Sequence, residues 1–125
     1  MIGTVLQVAV GGALGSVARY MVALGVGRLA GPGLPVATLA VNVVGCFVMG
    51  LAWAWLAERG GARAAPLLVA GFLGGFTTFS AFAADAFALW DRGAAGAAAA
   101  YVAASVGLSL AALAAGAFAM RGMLA

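Results

Sequence analysis

The sequence predicts an all-α membrane protein of four transmembrane helices, and three observations carry that prediction. Hydrophobic residues make up 66% of the chain and charged residues only 7%, with a mean hydropathy of +1.19. A soluble domain needs roughly a quarter charged residues to keep its surface wet, so this chain needs lipid as its solvent. The apolar residues also fall into runs long enough to span, since crossing a hydrocarbon core about 30 Å thick takes about 20 residues. Four such helices and their connections use all 125 residues, which predicts a single transmembrane domain over 1–125.

The first span is expected over residues 2–29, interrupted only by Gln7, Ser16, Arg19 and Arg28. Met1 to Leu14 lack the basic start of a signal peptide, so the segment reads as retained. Gly31-Pro32-Gly33-Leu34-Pro35 ends it, because proline lacks the N–H that a helix uses and glycine is conformationally permissive. The second span, 36–56, ends near Trp53 and Trp55, whose indoles suit the headgroup level. Glu58 to Arg63 reads as a loop. Pro66 can open the third span, 66–90, at its first position, where the missing N–H is not needed. Asp91-Arg92-Gly93 is the last turn, and the Ala-rich fourth span runs over 94–120 to Arg121. Gly11 with Gly15, and Gly71 with Gly75, have the small-xxx-small spacing that lets helices approach closely in lipid.

Four spans put both termini on one side. That side carries Arg59, Arg63 and Arg121, and the other Arg28 and Arg92. Orientation follows a clear basic excess on one side, and three against two is barely one. A protein that inserts both ways and pairs head to tail would show this balance.

The polar inventory excludes much chemistry. The chain has no His and no Lys, and Cys46 is its single cysteine. Imidazole and amine catalysis, an internal disulfide and a thiolate metal cluster are ruled out, and Cys46 reads as a small apolar packing residue. A net charge of +3 is too sparse for a nucleic-acid footprint. No enzyme is expected.

Polar groups inside a membrane default to functional hypotheses, and four sets stand out. Arg19 lies about 17 residues, roughly 25 Å, into its helix. It is either an interfacial anchor or a fixed positive charge drawing anions to a pore mouth. Thr38 and Asn42 share a helical face, as packing glue or as an amide facing an ion path. Gly71-Phe72-Leu73-Gly74-Gly75-Phe76-Thr77-Thr78-Phe79-Ser80-Ala81-Phe82 is dense in glycine, which weakens a helix by about 1 kcal/mol per residue relative to Ala. A helix break there is expected, offering bare carbonyls to a cation and N–H or hydroxyl donors to an anion. Phe79 and Phe82 lie three apart, either as packing or with their positive ring edges toward an anion. Tyr101, Ser105 and Ser109, at i, i+4 and i+8, form a hydroxyl stripe along the fourth helix. Together these groups read as anion handling, with Asp85 late in the third span as the one candidate acid.

These residues resemble the fluoride-specific ion channels, the Fluc or CrcB family. Gly11 to Tyr20 is similar to the family's first-helix motif and Asn42 to Phe47 to its second. Gly71 to Phe82, followed by Asp85, resembles its GFxGGxTTFSTFxxE signature. The resemblance implies an antiparallel, dual-topology homodimer in the cell (inner or plasma) membrane, passively exporting fluoride. It implies Phe79 and Phe82 as phenylalanines lining the fluoride pathways and Asn42 as the pore amide. Ser80, Tyr101, Ser105 and Ser109 would join that polar path, with Arg19 in the vestibule. The Gly74 and Thr77 carbonyls would hold a structural Na+ at the dimer centre. Ala81 departs from the family's usual Thr, and Asp85 from its usual Glu. The rival reading is a small dual-topology, proton-coupled multidrug exporter, which needs a mid-membrane acid.

Overall fold

A computed structural model describes all residues, 1–125. Its elements are all helical: α1 (Ile2–Ala30), α2 (Val36–Arg59), a π-helical segment (Pro66–Leu73), α3 (Gly74–Phe76), α4 (Phe79–Asp91) and α5 (Ala95–Leu124). The π segment, α3 and α4 follow one another as a third span, so four helical stretches of 29, 24, 26 and 30 residues are long and apolar enough to cross a membrane. Each exceeds the roughly 20 residues that the hydrocarbon core requires, a surplus taken up by tilt or by reaching into the headgroups.

Two boundaries differ from the sequence prediction by more than one residue. The second helix does not stop at Leu56 but runs through Glu58 to Arg59, expected in the loop. Gly60 explains this: it takes the left-handed conformation (φ 67°) and its N–H caps the Leu56 carbonyl, a helix stop that glycine adopts without a Cβ penalty. The fourth helix continues past Met120 to Leu124. Nothing after Met120 breaks a helix, and Arg121 in its last turn complements the negative end of the helix dipole.

The chain packs as two close helix pairs, α5 along α2 and α1 along the Pro66–Leu73 segment. Both contacts are backbone to backbone at glycine. A Cβ on Gly50 would lie 2.0 Å from the Leu113 carbonyl oxygen, and one on Gly116 would lie 2.1 Å from that of Phe47. Across the other pair, a Cβ on Gly71 would lie 2.9 Å from the Gly11 Cα. The small-xxx-small pairs of the first and third spans thus meet each other. Phe82, Leu89, Ala98 and Tyr101 form a small apolar cluster between α4 and α5. At one end, Arg92 donates to the Gly33 carbonyl and ties the last turn to the first loop.

Only 17 of 125 residues are buried, so a single chain makes no water-excluding core of its own. Its apolar side chains face outward, toward lipid or another protein surface.

Candidate functional site

Between α3 and α4, Thr77 (φ −80°, ψ 157°) and Thr78 (φ −151°, ψ 115°) are extended. An extended pair inside a span frees backbone groups that no water can satisfy, so protein must partner them. Asn42, from α2, partners Thr78 twice. Its Nδ2 donates to the Thr78 carbonyl at 3.0 Å, and its Oδ1 accepts the Thr78 N–H at 2.8 Å. The Thr78 hydroxyl accepts the Ala81 N–H at 3.2 Å and caps α4, as threonine commonly does at a helix start. Buried Thr78 therefore engages its N–H, its carbonyl and its hydroxyl at once.

Those bonds have a consequence for the carbonyls just before them. In an unbroken helix the Thr78 N–H would go to the Gly74 carbonyl and the Ala81 N–H to that of Thr77. Here they go to Asn42 Oδ1 and to Thr78 Oγ1. The two oxygens expected to hold Na+ are therefore ones that have lost their regular donors. The Thr77 hydroxyl turns away from this pair and donates to the Leu73 carbonyl at 2.8 Å.

Beside the extended pair lies a cavity of about 280 Å³, lined by Asn42, Cys46, Thr77, Thr78, Phe79, Phe82, Ser105 and Ser109 with Val106 and Leu110. Ser105 is 5% exposed and its Oγ is buried without a hydrogen-bond partner. A hydroxyl left so costs about 1–3 kcal/mol, and in a chain with few polar groups it marks a place where a ligand or water completes the site. The Phe79 and Phe82 centroids are 5.3 Å apart with their planes tilted by 55°. Phe82 is buried and packs on Tyr101 at 5.5 Å, whereas Phe79 is 78% exposed. Phe79 thus points out of the single chain.

A second concavity, of about 300 Å³, adjoins the first through Thr78. Arg19 lines it with Ser16, Tyr20, Thr38 and Ala81. Arg19 therefore shares a concavity with Thr78, one member of the extended pair.

The structure separates some residues that the sequence grouped together. Ser105 and Ser109 line the first cavity, but Tyr101 does not; its hydroxyl donates to Asp85 Oδ2 at 3.3 Å. Thr38 donates to the same oxygen at 2.7 Å. Asp85 sits mid-way along α4 as the acceptor of two hydroxyls. Ser80 is exposed and absent from the cavity lining, its Oγ 3.4 Å from that of Thr78. Thr38 and Asn42 share a face as expected, but they serve different partners, Asp85 and the Thr78 backbone.

Comparison with known proteins decides the family. The sequence profile described as CrcB-like protein, Camphor Resistance (CrcB), matches residues 6–117. The chain belongs to the CrcB family. A relative from Cereibacter sphaeroides, named fluoride-specific ion channel FluC, is 59% identical over the full length of both chains. A protein of the same name from Paracoccus denitrificans is 58% identical over 98% of each chain. Another, from Rhizobium etli, is 56% identical over 94% of this chain and 96% of the relative.

Within this CrcB chain, sequence reasoning missed Thr78 and Cys46 as site residues. The extended backbone at Thr78 arises from a long-range bond to Asn42, 36 residues away, which no local pattern discloses. Cys46, read from the sequence as a packing residue, was discoverable: it lies one helical turn from Asn42, and helical periodicity puts the two on one face.

Proposed function

We propose that two copies of this chain form a fluoride-selective channel that lets fluoride leave the cell passively. The observation that carries the reading is the cavity beside Thr77 and Thr78. Its wall combines an amide, hydroxyls and two phenyl rings, with one buried hydroxyl still lacking a partner. Fluoride is small and strongly hydrated, so a path must replace its water with donors and still bind weakly enough to release it. Neutral hydroxyls, the second N–H of the Asn42 amide and ring edges meet both needs. Relatives named fluoride-specific ion channels, alike over the full chain, support the same reading.

In this reading Arg19 is the fixed charge of the vestibule, and Phe79, Phe82, Asn42, Ser80, Tyr101, Ser105 and Ser109 serve the pathway. The dimer is antiparallel, embedded in the inner membrane in both orientations. The extended pair Thr77–Thr78 acts as a break in the third span at membrane depth. A structural Na+ fits the Gly74 and Thr77 carbonyls, since carbonyls of unwound backbone suit this ion. One chain offers two such oxygens, so a second copy would supply the remaining two across the dimer axis. No observation favours the exporter, which would need a free acid where Asp85 is already held by Thr38 and Tyr101.

The test is efflux from liposomes containing the purified protein, followed with fluoride and chloride electrodes in parallel. Fast fluoride release without chloride release is the expected result. Release of neither ion from verified folded protein would overturn the reading. Phe79→Ile and Phe82→Ile keep apolar bulk and remove the ring edge, so each is expected to lower fluoride flux while the protein still folds and dimerises. Unchanged flux in both would remove the ring-edge role.

A further inference from the structure

Cys46 has no part in the reading above, yet its surroundings are those of a pathway residue. It lies one turn along α2 from Asn42, on the same face, and its half-buried thiol lines the same cavity as Thr77, Phe79, Phe82 and Ser109. Ser105, whose buried Oγ has no partner, lines the same cavity from α5. A buried, unpartnered hydroxyl on a residue that lines a cavity of about 280 Å³ points to an occupant that comes and goes, whether water or an ion. Cys46, unlike that oxygen, is only partly buried, so its thiol is reached from the cavity it lines.

We propose that Cys46 is a thiol-modification site in the wall of the anion pathway, where a small neutral thiol electrophile forms an adduct that closes the path. The proposal rests on the channel reading and adds an inhibitory site to it. Methyl methanethiosulfonate is small and uncharged enough to enter. The Cys46 sulfur attacks the reagent's sulfenyl sulfur, a Cys46–S–S–CH₃ disulfide forms, and the S–SO₂ bond breaks. Methanesulfinate leaves with the electron pair of that bond, and the thiol proton passes to water. The added methylthio group then stands in the cavity that Asn42 and Ser105 also line, placing apolar bulk where the ion would shed its water.

Because Cys46 is the chain's only cysteine, the experiment is clean. Purified protein in liposomes is treated with methyl methanethiosulfonate, the adduct is counted by intact-mass spectrometry, and fluoride efflux is measured before treatment, after it, and after dithiothreitol. One adduct per chain is expected, with efflux reduced at least about tenfold, since even a modest obstacle to replacing the ion's hydration slows conduction. Dithiothreitol restores it. Cys46→Ser, compared only with itself before and after treatment, is expected not to respond. In that background Val17→Cys, on the exposed outer face of α1, is expected to accept the adduct with no change in efflux. If the native protein accepts no adduct, or accepts it and conducts as before, Cys46 does not face the path and the proposal is wrong. The untreated efflux reads the channel reading separately: fluoride flux that ignores the reagent overturns Cys46 alone.

Discussion

At the scale of single residues, the site divides side chains that hold the backbone from side chains left free for an ion. Asn42 spends its oxygen and one N–H on Thr78, so its removal uncovers two backbone groups as well as deleting an amide. Ser105 is the opposite case. Its hydroxyl bonds to nothing in the protein, so Ser105→Ala costs no hydrogen bond and removes a desolvation penalty of about 1–3 kcal/mol. The expected outcome is a melting temperature in detergent that does not fall, together with slower fluoride efflux. A structural serine would give the reverse, a lower melting temperature with efflux unchanged. Measuring both on the same preparation tells the two roles apart.

At the scale of elements, the helix pairs depend on glycine at the crossings and not on a packed apolar core. Gly50 meets the Leu113 carbonyl of α5, and Gly25 meets nothing within 4 Å. Gly50→Val is therefore expected to force α2 from α5 and destabilise the fold by about 1–3 kcal/mol, whereas Gly25→Ala should stabilise α1 by up to about 1 kcal/mol. Thermal unfolding followed by size-exclusion chromatography in detergent reads both, and equal effects would refute the crossing argument. The same contrast shows what the sequence could disclose. The four spans were legible because hydropathy and Pro–Gly punctuation are local properties, and Pro66 opened its helix where expected. The end of α2 was misplaced because Glu58 and Arg59 look like a loop by charge, while the αL cap at Gly60 decides the matter one residue later. At the site, Thr38 and Asn42 were legible as one face, but their separate partners were not. Those partners depend on how α4 lies against α2, a tertiary fact with no periodic signature. Tyr101 left its stripe for the same reason, since a long phenol reaches Asp85 where a serine at that position could not.

At the scale of the whole molecule, the exposed surface argues for a second copy. Phe79 is 78% exposed although its ring partner Phe82 is buried, and the cavity beside it opens to the outside of the chain. In the antiparallel dimer proposed here, the partner closes that cavity and brings its own Gly74 and Thr77 carbonyls to the Na+ site. Replacing sodium by N-methylglucamine is therefore expected to weaken dimerisation in detergent, read by size-exclusion chromatography with light scattering; indifference to the cation would remove the site. The charge balance makes a sharper demand. Arg59, Arg63 and Arg121 on one side face Arg28 and Arg92 on the other, an excess too small to fix orientation. Two arginines added to the Gly60–Gly61 loop should drive every copy one way, and two added at Gly31–Gly33 should drive every copy the other way. Each biased chain alone then lacks an oppositely oriented partner and is expected to lose fluoride resistance when expressed in a fluoride-sensitive bacterium. Expressed together they supply both orientations, and resistance should return. A parallel dimer would give the opposite pattern, because each biased chain would already have the partner it needs and mixing two orientations would add nothing.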